Sequence, residues 1–384
     1  MGADGLGRAL EMLRVDAYDT SYWPVGERRV RSKAPNSHPK LIVDKKLRSI
    51  PEWCHVDDKI FNEEILKQYR PAVLRGFVKK WPVVQHALQS PQSVCKYLKN
   101  FDNGSVVNAI MTAPEVRGRI FYKDDMSGFN FIRNRLPISA VADQLLKYSA
   151  GQNPPSVAIL SALIPACLPG FENENVLTVL NKSISPRIWM GNTITIPAHM
   201  DEPDNIACVV SGKRRFTLFP PDQVSNLYIG PLEFTPAGAP ISMVSPHNPD
   251  FKRFPRYKEA LAAAQVAELE PGDALFIPSV WWHQVESIGK INILINYWWG
   301  SSIGTTSRTN GPVDCLMHCL LNMKELPPET REAWGAIFNH YVFQAKKDHF
   351  EHIPEQNRGI LGPVTADQRE NIKAALISKL RQSN

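Results

Sequence analysis

Apolar residues recur at helical spacing over 62–69 and again over 93–101, and the run PAVLRGFV (Pro71–Val78) between them predicts a short strand. An α/β-mixed N-terminal region follows. From about Ala109 to Gly300 the pattern shortens to β-rich runs such as RIFYKDDM, SVAILSALI, NTITIPAHMD, IACVVSGKRRFTLF, DALFIP and INILINYWW, separated by Pro, Gly, Asn and Asp. Many short strands at this spacing predict a sandwich or barrel rather than a parallel α/β sheet. After Gly300 the helical period returns in 313–323, 328–349 and 366–380. The last of these is announced by Thr365-x-x-Gln368, a capping-box pattern. These terminal helices carry Leu316, Leu320, Trp334, Ile337, Phe338, Tyr341 and Phe343, more apolar surface than an isolated tail could hide. They are expected to pack on the barrel, on a second copy of the chain, or both.

Composition narrows the class. With 384 residues, 43% of them apolar and 21% charged, the chain can bury a sizeable core as one large domain with attachments or as two to three domains. The segment Met1–Thr20 lacks the apolar stretch of a secretory signal, and the longest apolar run, Val157–Leu168, is interrupted by Pro165 and too short to span a bilayer. A soluble, cytoplasmic protein with no membrane segment is the expectation. Cys54, Cys95, Cys167 and Cys208 are widely separated, and Cys315 and Cys319 fall one helical turn apart, so neither a disulfide framework nor a CxxC zinc site is indicated. The formal net charge is +6, yet Arg28–Arg48 alone contributes +7, so basicity is local. That stretch, with Pro35 and Pro39, reads as an extended solvated arm, with contact to nucleic acid or an acidic partner as the alternative.

Within the β region, His199-Met200-Asp201 places an imidazole and a carboxylate two residues apart, hence on one face of a strand. His283 follows 82 residues after Asp201, just beyond the turn Glu270-Pro271-Gly272-Asp273. Two histidines and one carboxylate are the facial triad of non-heme Fe(II) oxygenases, which leaves open positions for a bidentate cosubstrate and dioxygen. His247 reads as an ordinary exposed loop histidine, and His318, His340, His349 and His352 as surface or interface residues. If the strand after His199 stays regular and turns at Ser211-Gly212 as a two-residue hairpin, inward parity runs through Asn205, Ala207 and Val209 and then reaches Arg214, with Lys213 outside. A buried cation beside an iron site requires an anion. The distal carboxylate of a dicarboxylic 2-oxoacid fits, and a salt bridge to a protein carboxylate is the alternative.

Taken together, PAVLRGFVKKWP, DDMSGFNF, PAHMDEPDN, GKRRFTLFPPDQ, YIGP, NPDFKRFP, ELEPGDALFIPSVWWHQVES and NILINYWWG resemble the JmjC-type, cupin-fold Fe(II)/2-oxoglutarate oxygenases. They are most similar to the branch that includes the asparaginyl hydroxylase of hypoxia-inducible factor. The resemblance covers about Pro71 to Gly300. It implies a mainly β, double-stranded β-helix (jelly-roll) core, and the chain is then expected to divide into an N-terminal extension with the basic arm over 1–60, the catalytic domain over 61–305, and a C-terminal helical region over 306–384 whose apolar helices are candidates for homodimerisation. It also implies His199, Asp201 and His283 as iron ligands, with Asn205 and Asn296 beside the metal and the 1-carboxylate of 2-oxoglutarate. Arg214 stands where the hydroxylase has a lysine on the 5-carboxylate, and Trp298 where it has an aromatic near the target side chain. Two family hydroxyls are absent, because Ile196 and Ala158 occupy their positions. The fork of Arg214, Thr195 and Tyr122 are the candidates to replace them.

The implied activity is hydroxylation of a protein side chain with dioxygen as second cosubstrate, or demethylation where the hydroxyl lands on an N-methyl carbon. Modified RNA or a small molecule is the alternative substrate. The rival readings are a cupin metalloenzyme that does not use 2-oxoglutarate and a binding protein on a cupin core.

Overall fold

The computed structural model describes residues 47–236, 238–245, 247–300 and 311–382. The basic arm lies outside them apart from its last two residues. The chain divides into two compact units, one ending at Gly311 and one comprising 312–384.

The first unit is built on twelve strands: β1 (Arg48–Ser49), β2 (Glu52–Cys54), β3 (Ala72–Arg75), β4 (Val107–Thr112), β5 (Phe131–Leu136) and β6 (Ser156–Leu163), then β7 (Arg187–Gly191), β8 (Thr195–Met200), β9 (Asp204–Phe219), β10 (Gln265–Leu269), β11 (Ala274–Ile277) and β12 (Trp282–Trp299). They form one mixed sheet in the order β2-β3-β11-β9-β12-β7-β6-β4-β5, with β10 on β9, β8 on β12 and β1 on β10. The expected mainly β, jelly-roll-type core is present, flanked by helices.

Alternation along the two long strands decides what faces where. Ile206, Cys208 and Val210 of β9 and Ile293, Ile295 and Tyr297 of β12 pack outward against the helices Pro82–Gln89, Pro91–Lys99 and Ile138–Ser149. Ala207, Val209 and Leu294 instead join the inner cluster with Ile110, Ile120, Phe131, Leu275 and Val285. The helix Pro91–Lys99 restarts directly after the helix Pro82–Gln89, because extended Ser90 accepts the Ser93 amide at 3.0 Å and Pro91 supplies a preset first turn.

The structure corrects one step of the sequence reading. No hairpin forms at Ser211-Gly212: β9 runs on for 16 residues, paired with β12 from Asp204↔Trp299 to Phe219↔Trp282. The register slips between Ser211↔Ile293 and Lys213↔Ile288, and Gly212 at the slip has φ +73°. An L-side chain is disfavoured there, and a Cβ would stand 2.1 Å from Oδ1 of Asn292. The slip shifts the inward parity by one residue, so Arg214, Phe216 and Leu218 face the interior while Lys213 faces out. Arg214 is therefore inward, as expected, through a bulge rather than a turn.

Near the N-terminus the helical pattern resolves as a π-helix, Ile60–Ile65, followed by a 3-10 turn, Leu66–Gln68. In the second unit the pattern over 328–349 resolves as a helix Pro328–Phe338, a π-helix Asn339–Phe343 and a 3-10 turn Lys347–Phe350. The capping box before helix Ala366–Gln382 is formed reciprocally: the Thr365 amide donates to Oε1 of Gln368 at 3.0 Å, and the Gln368 amide donates to Oγ1 of Thr365 at 3.3 Å. No described helix is long and apolar enough to cross a membrane.

Candidate metal centre and cosubstrate pocket

His199 and Asp201 leave the C-terminal end of β8, and His283 enters at the start of β12. The strands are antiparallel, with His283 opposite His199. The pairing jumps from His283↔His199 to Val285↔Ile196, so Pro197 and Ala198 bulge opposite Gln284. Without that extra residue His199 and Ile196, three apart, would face opposite sides. With it, Ile196 packs in the inner cluster and His199 still meets His283, their ring centroids 4.2 Å apart. A second clamp closes the far side: the Val280 amide donates to the Asp201 carbonyl at 2.9 Å, and the Ser279 amide to Oδ1 of Asp204 at 2.8 Å. Val280 takes φ +57°, a costly conformation for a β-branched residue that the surrounding contacts must hold.

Candidate ligand atoms of His199, Asp201 and His283 all lie within 4.8 Å of one another, and among the described residues this is the group able to hold a metal ion. Nε2 of His283 is 3.5 Å from Oδ2 of Asp201. Both imidazoles are oriented alike: Nδ1 of His199 lies 2.9 Å from the Pro197 carbonyl, and Nδ1 of His283 lies 3.0 Å from that of Trp281. A carbonyl only accepts, so each Nδ1 carries the hydrogen and each Nε2 keeps its lone pair for a metal. Burial, and secondarily the neighbouring His283, pushes the His199 pKa down to about 4, which keeps this ring neutral at physiological pH.

The Asp201 carboxylate is held by donors from two strands, β9 and β12. Oδ2 accepts from Nδ2 of Asn205 at 3.2 Å and from Nε1 of Trp298 at 3.1 Å. Behind Asn205, Nδ2 of Asn296 donates to Oδ1 of Asn205 at 3.3 Å, and Nε1 of Trp189 donates to Oδ1 of Asn296 at 2.9 Å. Asn205 and Asn296 thus stand in the polar network beside the carboxylate. Trp298, expected near a target side chain, holds Asp201 directly, with its ring edge-to-face on Trp189 and the Arg187 guanidinium 5.6 Å from its centroid.

Arg214 is 3% exposed on the same inner surface, and its Nε has no hydrogen-bond partner. No described carboxylate pairs with it; burial alone pulls its pKa down to about 10. The salt-bridge alternative therefore has no partner among the described residues. Directly opposite Arg214 on β12 stands Ser287, 2% exposed, whose hydroxyl also lacks a partner. Cross-strand neighbours of this kind have Cβ atoms about 5 Å apart, within reach of one small anion.

The two replacement hydroxyls weighed from the sequence are placed elsewhere. Tyr122 donates to the Phe234 carbonyl at 2.7 Å, and Thr195 falls between the inward-facing Ile194 and Ile196. Ser287 was missed, although its position two residues beyond Val285 and four beyond His283 puts it on the ligand face by simple alternation. His247 is also less exposed than expected, with Nε2 3.8 Å from Oε2 of Glu286.

A mainly β, jelly-roll-type core that gathers two imidazoles and a carboxylate able to hold a metal ion is the architecture of a cupin-type domain. The chain belongs to the cupin-like domain family, whose model matches residues 58–305. It is similar to HSPB1-associated protein 1 of Homo sapiens, with 34% identity over 149 residues, 38% of this chain and 30% of that one. It is also similar to Lysine-specific demethylase JMJ31 of Arabidopsis thaliana, at 35% identity over 32% of this chain and 22% of that one. The human Bifunctional peptidase and (3S)-lysyl hydroxylase JMJD7 is 24% identical over 60% of this chain and 77% of its own length. These relatives are JmjC proteins, and two of them carry the names of a demethylase and a hydroxylase. The match spans about a third of the length of HSPB1-associated protein 1.

Proposed function

We propose that this protein is an Fe(II)- and 2-oxoglutarate-dependent oxygenase that hydroxylates a side chain of a protein substrate, with demethylation as the outcome where the hydroxyl lands on an N-methyl carbon. The observation that carries this reading is Arg214: a buried cation without an acid partner, on the same interior surface as the His199, Asp201 and His283 cluster. Desolvating a guanidinium without an anion is costly, and a dicarboxylate entering the barrel would offset that cost.

His199, Asp201 and His283 would hold the iron, a donor set suited to Fe(II) with open positions. The bound iron with 2-oxoglutarate and dioxygen supplies the oxidant: the 2-oxoacid is split to succinate and carbon dioxide, and a substrate C–H bond becomes C–OH. The Pro197 and Trp281 carbonyls fix the imidazole tautomers, while Asn205 and Trp298 fix the rotation of the Asp201 carboxylate. The distal carboxylate of 2-oxoglutarate would lie on Arg214 and the Ser287 hydroxyl, a pairing that replaces the hydroxyls absent at Ile196 and Ala158. Inner residues such as Ile110, Val285 and Leu294 give that interior an apolar lining, which would limit water there. Similarity to a lysyl hydroxylase and to a lysine-specific demethylase supports a protein substrate. In the second unit Leu316, Leu320, Trp334, Ile337 and Phe343 are exposed, and this apolar surface supports a homodimer through the C-terminal helices.

The test is succinate formation by iron-loaded protein given 2-oxoglutarate and air. Succinate that disappears in both His199→Ala and Arg214→Ala is the expected result. A metal-loaded protein that binds no 2-oxoglutarate and yields no succinate with any protein substrate would overturn the proposal in favour of a cupin reaction without 2-oxoglutarate.

A further inference from the structure

One short turn touches the chain at two of the three candidate ligands. Pro278–Trp281 joins the end of β11 to the start of β12. The Val280 amide donates to the Asp201 carbonyl at 2.9 Å, and the Trp281 carbonyl accepts Nδ1 of His283 at 3.0 Å. Ser279, beside them, is bonded at each of its polar atoms. Its amide donates to Oδ1 of Asp204 at 2.8 Å, its hydroxyl donates to the Glu202 carbonyl at 2.6 Å, and its own carbonyl accepts the Tyr69 hydroxyl at 2.6 Å. The first two bonds tie the turn to the residues that follow Asp201. The third comes from a tyrosine 210 positions away.

The π-helix Ile60–Ile65 carries that tyrosine to the turn. Its Phe61 and Ile65 are buried, and the Phe61 ring lies 5.9 Å from Phe276 of β11 and 6.2 Å from Trp299 of β12, so the segment is fixed to the strands on either side of the turn. The 3-10 turn Leu66–Gln68 then ends on Tyr69 in the left-handed region, at φ +48° and ψ +43°. Val280, one residue beyond the carbonyl that Tyr69 holds, is in the same region at φ +57°. Both conformations are unfavourable for residues with side chains and are kept only by the contacts around them. The Tyr69 ring is 48% exposed, so burial does little to hold it, and the hydroxyl is its attachment to the turn. Burial, and then the nearby Asp204 carboxylate, push its pKa up, which keeps the hydroxyl a donor.

We propose that Tyr69 is a positioning residue for the metal centre, a role that rests on the reading of His199, Asp201 and His283 as metal ligands. Its hydroxyl latches the Pro278–Trp281 turn at Ser279, and the latched turn holds the Asp201 backbone and the His283 imidazole in the arrangement that a metal requires. Strain at Val280 opposes the latch, so loss of one bond lets the turn open and lowers the fraction of chains ready to take the metal.

The test compares the full chain with Tyr69→Phe, which keeps the ring and deletes the hydroxyl, and with Tyr148→Phe as a distant control. In the metal-free protein, hydrogen exchange over 279–283 should quicken by about fivefold in Tyr69→Phe, equivalent to about 1 kcal/mol, with exchange in β4, β5 and β6 unchanged. Calorimetric titration with Co(II), without 2-oxoglutarate, should show affinity lowered by about fivefold. Tyr148→Phe should alter neither. Exchange that changes by less than about twofold, or quickens equally throughout the chain, overturns the latch. Faster local exchange with Co(II) affinity within about twofold of the parent overturns the positioning role and leaves a purely structural bond. A parent chain that binds no Co(II), or binds it no better than His199→Ala, overturns the metal reading itself and the proposal with it.

Discussion

Trp298→Phe separates two roles that one side chain could play beside Asp201. The substitution keeps an aromatic ring against Trp189 and under Arg187 but deletes the indole N–H that donates to Oδ2 of Asp201 at 3.1 Å. A hydrogen bond to a charged group contributes about 1.5 to 3 kcal/mol, and the Trp298 site is half-buried, so the lower end applies. Asn205 still donates to the same oxygen at 3.2 Å, so the carboxylate is loosened rather than released. About 1.5 kcal/mol corresponds to roughly a tenfold loss of metal affinity, the usual scale for partners that orient a metal ligand. The assay is calorimetric titration of the metal-free chain with Co(II), which resists oxidation, in the absence of 2-oxoglutarate. Asn205→Ala should show a loss of similar size. Affinity within twofold of the parent in Trp298→Phe would refute the positioning role. An increase in substrate KM with unchanged Co(II) affinity would instead make Trp298 a wall of the substrate site.

Three further outcomes are expected. Arg214→Met should raise the thermal midpoint of the metal-free protein, since it removes an unpaired buried cation at similar volume, a change worth on the order of 1 to 4 kcal/mol; the same variant should lose 2-oxoglutarate binding, and a lowered midpoint would contradict the unpaired state. Gly212→Ala should cost at least about 2 kcal/mol in urea unfolding, because φ +73° disfavours a side chain and the new Cβ meets Asn292 at 2.1 Å; a change below 0.5 kcal/mol would mean that the strand slips elsewhere (about the error of such a measurement). For metal-free protein, the unfolded chain binds a proton on His199 near pH 6.5 whereas the folded chain does so only near 4. Stability should therefore fall as pH drops from about 6.5 toward 4, and His199→Asn should flatten that slope in urea midpoints measured at pH 7 and pH 5.

The clustering of His199, Asp201 and His283 was legible in the sequence because it rests on local geometry: His199 and Asp201 two apart on a strand, and His283 after a Pro-Gly-Asp turn. Strand alternation also gave the inward set Asn205, Ala207 and Val209. Arg214 was placed on the correct face through a turn that does not exist. Period-2 alternation cannot show where one residue slips out of register, and the slip at Gly212 depends on what β12 presents across the ladder. The same limit hid the Pro197 and Ala198 bulge, which puts Ile196 and His199 on one side although three residues separate them.

Local chemistry in the sequence therefore determined which residue types meet at the candidate metal centre, the β-rich middle of the chain, and the capping box at Thr365. Tertiary structure decided the partners. Asn296 reaches Asn205 across 91 positions, Trp298 reaches Asp201 across 97, and Ser287 stands opposite Arg214. The physical reason is that hydrogen bonds and burial act at a few ångströms while sequence separation carries no distance. Whether a buried arginine is neutralised from within the chain is a fact about every neighbour it has, and for Arg214 only the folded chain could show that no acid was among those described.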